Sequence, residues 1–196
     1  MNLNGVYRSI KSLSTGIYKE KGSKFLSFAL PVSSGEEAKE IIKQYKKQYH
    51  DARHVCSAYM LGSERLESKA NDDGEPSGTA GRPILGQINS FGLSNILIIV
   101  VRYFGGILLG TGGLVQAYKQ AACEALQNAE IIEKNEEIEV EFEFNYLKIN
   151  DIMSAIKKYE VNIVAQEYKN DFYKFKTVVQ KKNNHPFVSE IKEFTL

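Results

Sequence analysis

The chain has 196 residues, 43% of them hydrophobic and 25% charged, with a net charge of +1. This is ordinary globular composition, long enough for one large domain or two small ones, and it gives no global pull toward nucleic acid or membrane. Two cysteines, Cys56 and Cys123, lack metal-type spacing, which argues against a disulfide framework and fits a reducing compartment. No leader pattern opens the chain and the longest apolar run, Ile96 to Val101, is far too short for a bilayer, so a cytoplasmic protein without a membrane partner is expected.

Thr15–Tyr18 and Ser23–Leu30 read as two strands joined around Glu20-Lys21-Gly22. Ser34 with Glu37 forms a capping box. Ala38, Ile41, Ile42, Tyr45 and Tyr49 then recur at helical spacing, which leaves Lys43, Lys46 and Lys47 toward solvent. His54–Leu61 reads as a strand and Leu61–Lys69 as a polar loop. Ile96–Tyr103, continuous and β-branched, predicts a strand buried on both faces. Leu114, Ala117, Tyr118, Ala121, Ala125 and Leu126 mark a small-residue helix packed closely on a sheet.

The charge run Glu130–Glu143 marks a boundary, with a short linker near Lys134-Asn135. It divides the chain into domains 1–134 and 135–196. The first carries 16 basic and 13 acidic residues, hence +3, and the second 9 and 11, hence −2. Neither is a polycation, so a nucleic-acid surface has to be a local patch. Beyond the boundary, Ile138–Phe144, Leu147–Tyr159, Val161–Tyr168, Phe172–Gln180 and His185–Phe194 follow a β-α-β-β-α order. That is most of a ferredoxin-like unit, whose last strand has only Thr195-Leu196 to draw on.

Two glycine-rich segments, Asn71–Pro83 and Val101–Gly113, hold more than half of the chain's 15 glycines. Each runs into a predicted helix and can aim free backbone N–H groups at an anion. The binding candidates are Asp72, Asp73, Glu75, Ser77, Thr79, Arg82, Arg102, Tyr103, Gly105, Gly106, Gly112 and Gly113. Asp72, Asp73 and Glu75 suit a hard cation or proton transfer, and equally suit a turn that precedes a helix. Ser77 and Thr79 can donate to phosphate or cap that helix. Arg102 can hold an anion or pair with Asp72 or Asp73. Gly110-Thr111-Gly112-Gly113 lacks both a Walker lysine and dinucleotide spacing. His54 and Cys56 alternate on one strand without an orienting third group and read as core residues rather than a nucleophile pair. Lys21, Lys24, Lys43 and Lys47 are the candidate RNA contacts, or simply solvated lysines. No metal and no cofactor are expected.

Lys21–Phe25, Ala52–Tyr59, Asp72–Gly81 and Val101–Gly106, taken in order, resemble the YigZ/IMPACT family, strongly over residues 15–129 and weakly beyond. One departure is Arg53, where the family usually has a small hydroxyl residue. The resemblance implies an α+β or two-layer α/β protein. Its N-terminal domain would resemble ribosomal protein S5 domain 2, and its C-terminal domain would be ferredoxin-like, similar to the late domains of elongation factor G. It also implies a translation-associated regulatory or RNA- or ribosome-binding module. Eukaryotic relatives bind a regulator of a stress kinase partly through an extra domain, so that partner is not carried over. The expected partners are RNA, the ribosome, a translation factor or a small anionic ligand. The alternatives are an enzyme acting on a phosphorylated or anionic small molecule and a non-catalytic adaptor, and the balance leans against catalysis.

Overall fold

The structure is a computed structural model that describes residues 5–195. It divides into two compact units, Tyr7–Lys134 and the part from Asn135 onward with the residues just before Tyr7. Both mix helices and strands.

The first unit contains β1 (Val6–Ile10), β2 (Ser14–Glu20), β3 (Ser23–Pro31), α1 (Gly35–Gln48), β4 (His54–Leu61), β5 (Glu67–Asn71), α2 (Gly81–Phe91), β6 (Ile96–Tyr103), α3 (Gly110–Gln127) and β7 (Ile131–Asn135). Five of these strands form one sheet in the order β2-β3-β6-β4-β5, with antiparallel pairing throughout. β6 lies at its centre because its residues are apolar on both sides. Ile96, Ile98 and Val100 face α2 and α3, whereas Leu97, Ile99 and Val101 face α1. To the two layers expected, α1 therefore adds a third. Ser34 caps α1 by accepting from the Glu37 N–H, and the Glu37 carboxylate accepts from the Ser33 N–H and hydroxyl. These bonds satisfy N–H groups at the helix start.

Two segments differ from expectation. The loop predicted over Leu61–Lys69 gives way at Glu67 to β5, an edge strand on β4 whose five residues are all exposed. An edge strand covering no core carries no apolar alternation to read. The linker expected near Lys134-Asn135 falls on the end of β7, which pairs with β1 as a separate two-stranded sheet.

The second unit contains β8 (Glu137–Asn145), α4 (Ile149–Lys158), β9 (Asn162–Lys169), β10 (Phe172–Gln180) and α5 (Lys181–Ile191), and its three strands form an antiparallel sheet ordered β8-β10-β9. The core gathers Phe142, Phe144, Phe175, Ile152, Ile156 and Phe187. Asn170 and Asp171 take left-handed φ of 50° and 63° in the β9–β10 turn, the primed geometry that matches strand twist. Thr195 makes a single antiparallel bridge to Phe144. That is the side of β8 where a fourth ferredoxin-like strand lies, and Leu196 falls outside the described residues.

Candidate functional site

Strand register collects the chemically loaded residues of the first unit at one end of its sheet. Arg102 near the end of β6 stands opposite His54 at the start of β4 on one side and Phe25 of β3 on the other. Lys24 stands opposite Tyr103. Across this end run the turn at Asp72–Glu75, the β2–β3 turn and the Phe104–Leu109 connection into α3.

The turn is built by its own acids. Asp73 and Gly74 take left-handed φ of 46° and 83°, and the Glu75 N–H donates to the Asp72 carbonyl. The Asp72 carboxylate accepts from the backbone N–H groups of Gly78, Ala80 and Gly81, so it fills the N-terminus of α2 that had been a candidate anion site. Burial opposes the Asp72 charge, but these N–H groups together with Arg82 prevail and hold its carboxyl below the usual range. Asp73 accepts from the Val55 N–H at 2.7 Å and pairs with Lys46.

Glu75 is the buried centre. Its Oε1 accepts from Arg102 Nη1 at 2.6 Å and from the Tyr118 hydroxyl at 2.8 Å, and lies 3.8 Å from His54 Nε2. Arg102, read from the sequence either as an anion ligand or as the partner of Asp72 or Asp73, pairs with Glu75, because both of those acids serve the protein's own donors. Arg102 is 5% exposed; its guanidinium lies over Phe25 at 5.6 Å and near Phe104 at 5.7 Å, and its Nε has no partner among the described residues. The buried Cys56 thiol donates to the Asp72 carbonyl and lies 3.3 Å from the Tyr118 oxygen. Burial above all pushes the Cys56 and Tyr118 pKa values up, so both stay protonated at neutral pH and the thiol is no ready nucleophile.

Above this network opens a cavity of about 940 Å3. Arg53, His54, Glu75, Arg102, Gly110 and Thr111 line it together with Tyr103, Phe104, Leu108 and Leu109. The α3 N-terminus enters it without a side-chain cap. Arg53, exposed and with no salt bridge among the described residues, stands at its lining.

Of the binding candidates, Glu75, Arg102 and Tyr103 line this cavity. Asp72 and Asp73 lie behind it. Thr79 is buried and donates to the Pro76 carbonyl, while Ser77 and Arg82 are exposed outside the lining. Gly105 packs on Gly22, where a Cβ would lie 1.9 Å from the Gly22 carbonyl carbon. Gly106 makes a left-handed turn at φ +86°, and Gly112 and Gly113 lie within the first turn of α3. Lys21 and Lys24 are exposed on the hairpin, with Lys43 and Lys47 exposed on α1. Lys43 lies 4.0 Å from Glu40. The neighbouring Lys46, also on the solvent side of the helix, is tied to Asp73. Sequence reasoning set His54 aside and missed Tyr118 and the Leu108–Leu109 wall. The signal for His54 was present in the Ala52–Tyr59 motif; nothing local marks Tyr118, which reaches Glu75 across 43 residues.

Fold and cavity define a class: an α+β protein of two units with a polar-floored, apolar-rimmed cavity at one sheet end of the larger unit. The family described as the Impact N-terminal domain matches residues 21–126. The chain is 35% identical over 173 residues to the IMPACT family member YvyE of Bacillus subtilis, covering 88% of this chain and 79% of that protein. It is 34% identical to the IMPACT family member YigZ of Escherichia coli over 156 residues, covering 79% and 76%. A crystal structure described as that of a hypothetical protein superposes with a TM-score of 0.75 at 28% identity, covering 96% of this chain and 92% of the other. The chain belongs to the IMPACT family. Among the described residues no helix is long and apolar enough to cross a membrane.

Proposed function

We propose that this chain is a translation-associated binding module of the cytoplasm that holds an anionic group of RNA in the cavity beside Arg102. The translation setting is what the family resemblance implies. The observation that carries the site is the cavity itself, where Arg53, Arg102 and the uncapped start of α3 line the same space. Guanidinium groups and helix-start N–H groups are both suited to phosphate oxygens. Glu75 neutralises part of the Arg102 charge, whereas Arg53, the other arginine in the lining, has no salt bridge among the described residues. Lys21 and Lys24, at the same sheet end, extend the positive surface as weaker backbone contacts, and Lys43 and Lys47 on α1 contribute least.

The test is titration of the protein with single-stranded RNA at two salt concentrations. Binding is expected to weaken with added salt, by about 0.7 log units per phosphate contact for each tenfold rise. Arg53→Ala is expected to weaken it about tenfold, the scale of one charged hydrogen bond, with Lys21→Ala and Lys24→Ala each giving a smaller loss. Absent or salt-insensitive binding would refute the RNA reading. Binding of a small anion that Arg53→Ala abolishes, with no RNA bound, would favour the alternative of a pocket enzyme.

A further inference from the structure

The cavity presents acceptors as well as donors, and the acceptors narrow what it can hold. His54 Nδ1 lies 2.9 Å from the Asp73 carbonyl oxygen. A carbonyl oxygen only accepts, so Nδ1 carries a proton, and a ring with a single proton there has its lone pair on Nε2. Nε2 has no hydrogen-bond partner among the described residues, and Glu75 Oε1 lies 3.8 Å from it. Arg102 and Tyr118 both donate to that oxygen, so Oε1 acts as an acceptor and offers His54 no proton. Two acceptors therefore face each other across a gap too wide for a direct bond, on the wall of the cavity that Arg53, Arg102 and the α3 start supply with donors. A bound anion alone would leave His54 Nε2 unsatisfied. An anion with a hydroxyl a few bonds away would satisfy both sets of groups.

The rim adds a third requirement. Phe104 is 48% and Leu108 82% exposed, and with Tyr103 and Leu109 they flank the polar floor. Flat apolar side chains beside an anion site suit a planar ring, since nucleobases stack on aromatic faces. A cavity of about 940 Å3 has room for a nucleotide-sized group.

We propose that the ligand unit is a ribose phosphate. Its phosphate would sit against Arg53, Arg102 and the α3 start, its 2′-hydroxyl would donate to His54 Nε2 beside Glu75, and its base would rest on Phe104 and Tyr103. The inference deepens the proposed function and rests on its reading of the cavity as an anion site. His54 becomes the residue that separates RNA from DNA, because only the ribose carries that donor.

The test compares a short single-stranded oligoribonucleotide with its 2′-deoxy and 2′-O-methyl forms, and the matching ribonucleoside 3′-monophosphate with its 2′-deoxy form. The wild-type protein is expected to bind the ribo form about tenfold tighter than either 2′-substituted form, the upper range for one neutral hydrogen bond. His54→Phe is expected to abolish the preference among the three forms. The wild-type ratio needs no variant, so it stands even if His54→Phe fails to fold. A preference shown by the monophosphate as well as the oligonucleotide places recognition on the single unit; a preference confined to the oligonucleotide places it within a chain, and both support the proposal. Equal binding of ribo and deoxy forms, with Arg53→Ala still weakening both, overturns this inference and leaves the anion site standing. Binding of none of the probes overturns both.

Discussion

At the scale of single residues, Glu75 and Arg102 dominate. Both are nearly sealed from solvent, with side chains 3% and 6% exposed, and a buried charge persists only where it is paired and hydrogen-bonded. Removing one partner leaves the other charged and uncompensated, whereas replacing both with apolar groups of similar size is far milder. Glu75→Leu is therefore expected to destabilise the first unit by about 3–5 kcal/mol. The double variant Glu75→Leu/Arg102→Leu should lose distinctly less than the two single variants together. Urea unfolding of the four proteins measures both quantities, and strict additivity would show that the pair is not coupled.

At the scale of elements, the Asp72 turn and the Gly105 contact set the geometry of the sheet end. Asp72 accepts three backbone N–H bonds, two of them at the start of α2, and its replacement by Ala is expected to cost about 1–2 kcal/mol, the range for a lost N-cap. Because its folded pKa lies below the ordinary aspartate value of 3.8, the contribution is fully present above that unfolded value. It is lost as pH falls through the folded one. The stability gap between the wild type and Asp72→Ala should thus be constant from pH 7 to about 5 and shrink below pH 3.8. A gap that grows in acid would contradict the assignment. Gly105 works differently. A Cβ there meets the Gly22 carbonyl carbon at 1.9 Å, a backbone atom that cannot rotate away. Gly105→Ala is expected to cost about 3 kcal/mol or more by separating the hairpin from the β6–α3 connection. Gly106→Ala, at φ +86° with nothing within 4 Å, should cost only about 1–2 kcal/mol of left-handed strain. Thermal unfolding of the two variants ranks them directly.

At the scale of the whole molecule, each unit has its own apolar core. One is gathered around β6 between α1 and the α2–α3 pair, the other around the phenylalanines of β8 and β10. We propose that these are domains in the folding sense, with the boundary at Lys134. A polypeptide ending at Lys134 is expected to unfold cooperatively by itself and to keep the RNA affinity contributed by the cavity, since every residue lining that cavity lies between Asp51 and Leu114. Calorimetry together with the RNA titration checks it. A fragment that stays unfolded would refute the division.

The sequence by itself determined the local elements whose signals lie within one stretch of chain. β6 announces burial on both faces by six consecutive apolar residues from Ile96 to Val101. The start of α1 is written in Ser34 and Glu37, and the β9–β10 turn in Asn170-Asp171. β5 and the β1–β7 pair escaped notice, because strands without apolar alternation become strands only through the edge they pair with. The candidate site was legible as two segments but not as a site. Which acid meets Arg102 depends on strand register and on the left-handed turn at Asp73-Gly74, and these turn Asp72 inward to α2 and Glu75 toward the guanidinium. Tyr118 and His54 join Glu75 from residues 43 and 21 positions away. Side-chain type and spacing record what a residue can do; only tertiary packing decides which partner removes it from solvent and which face it leaves open to a ligand.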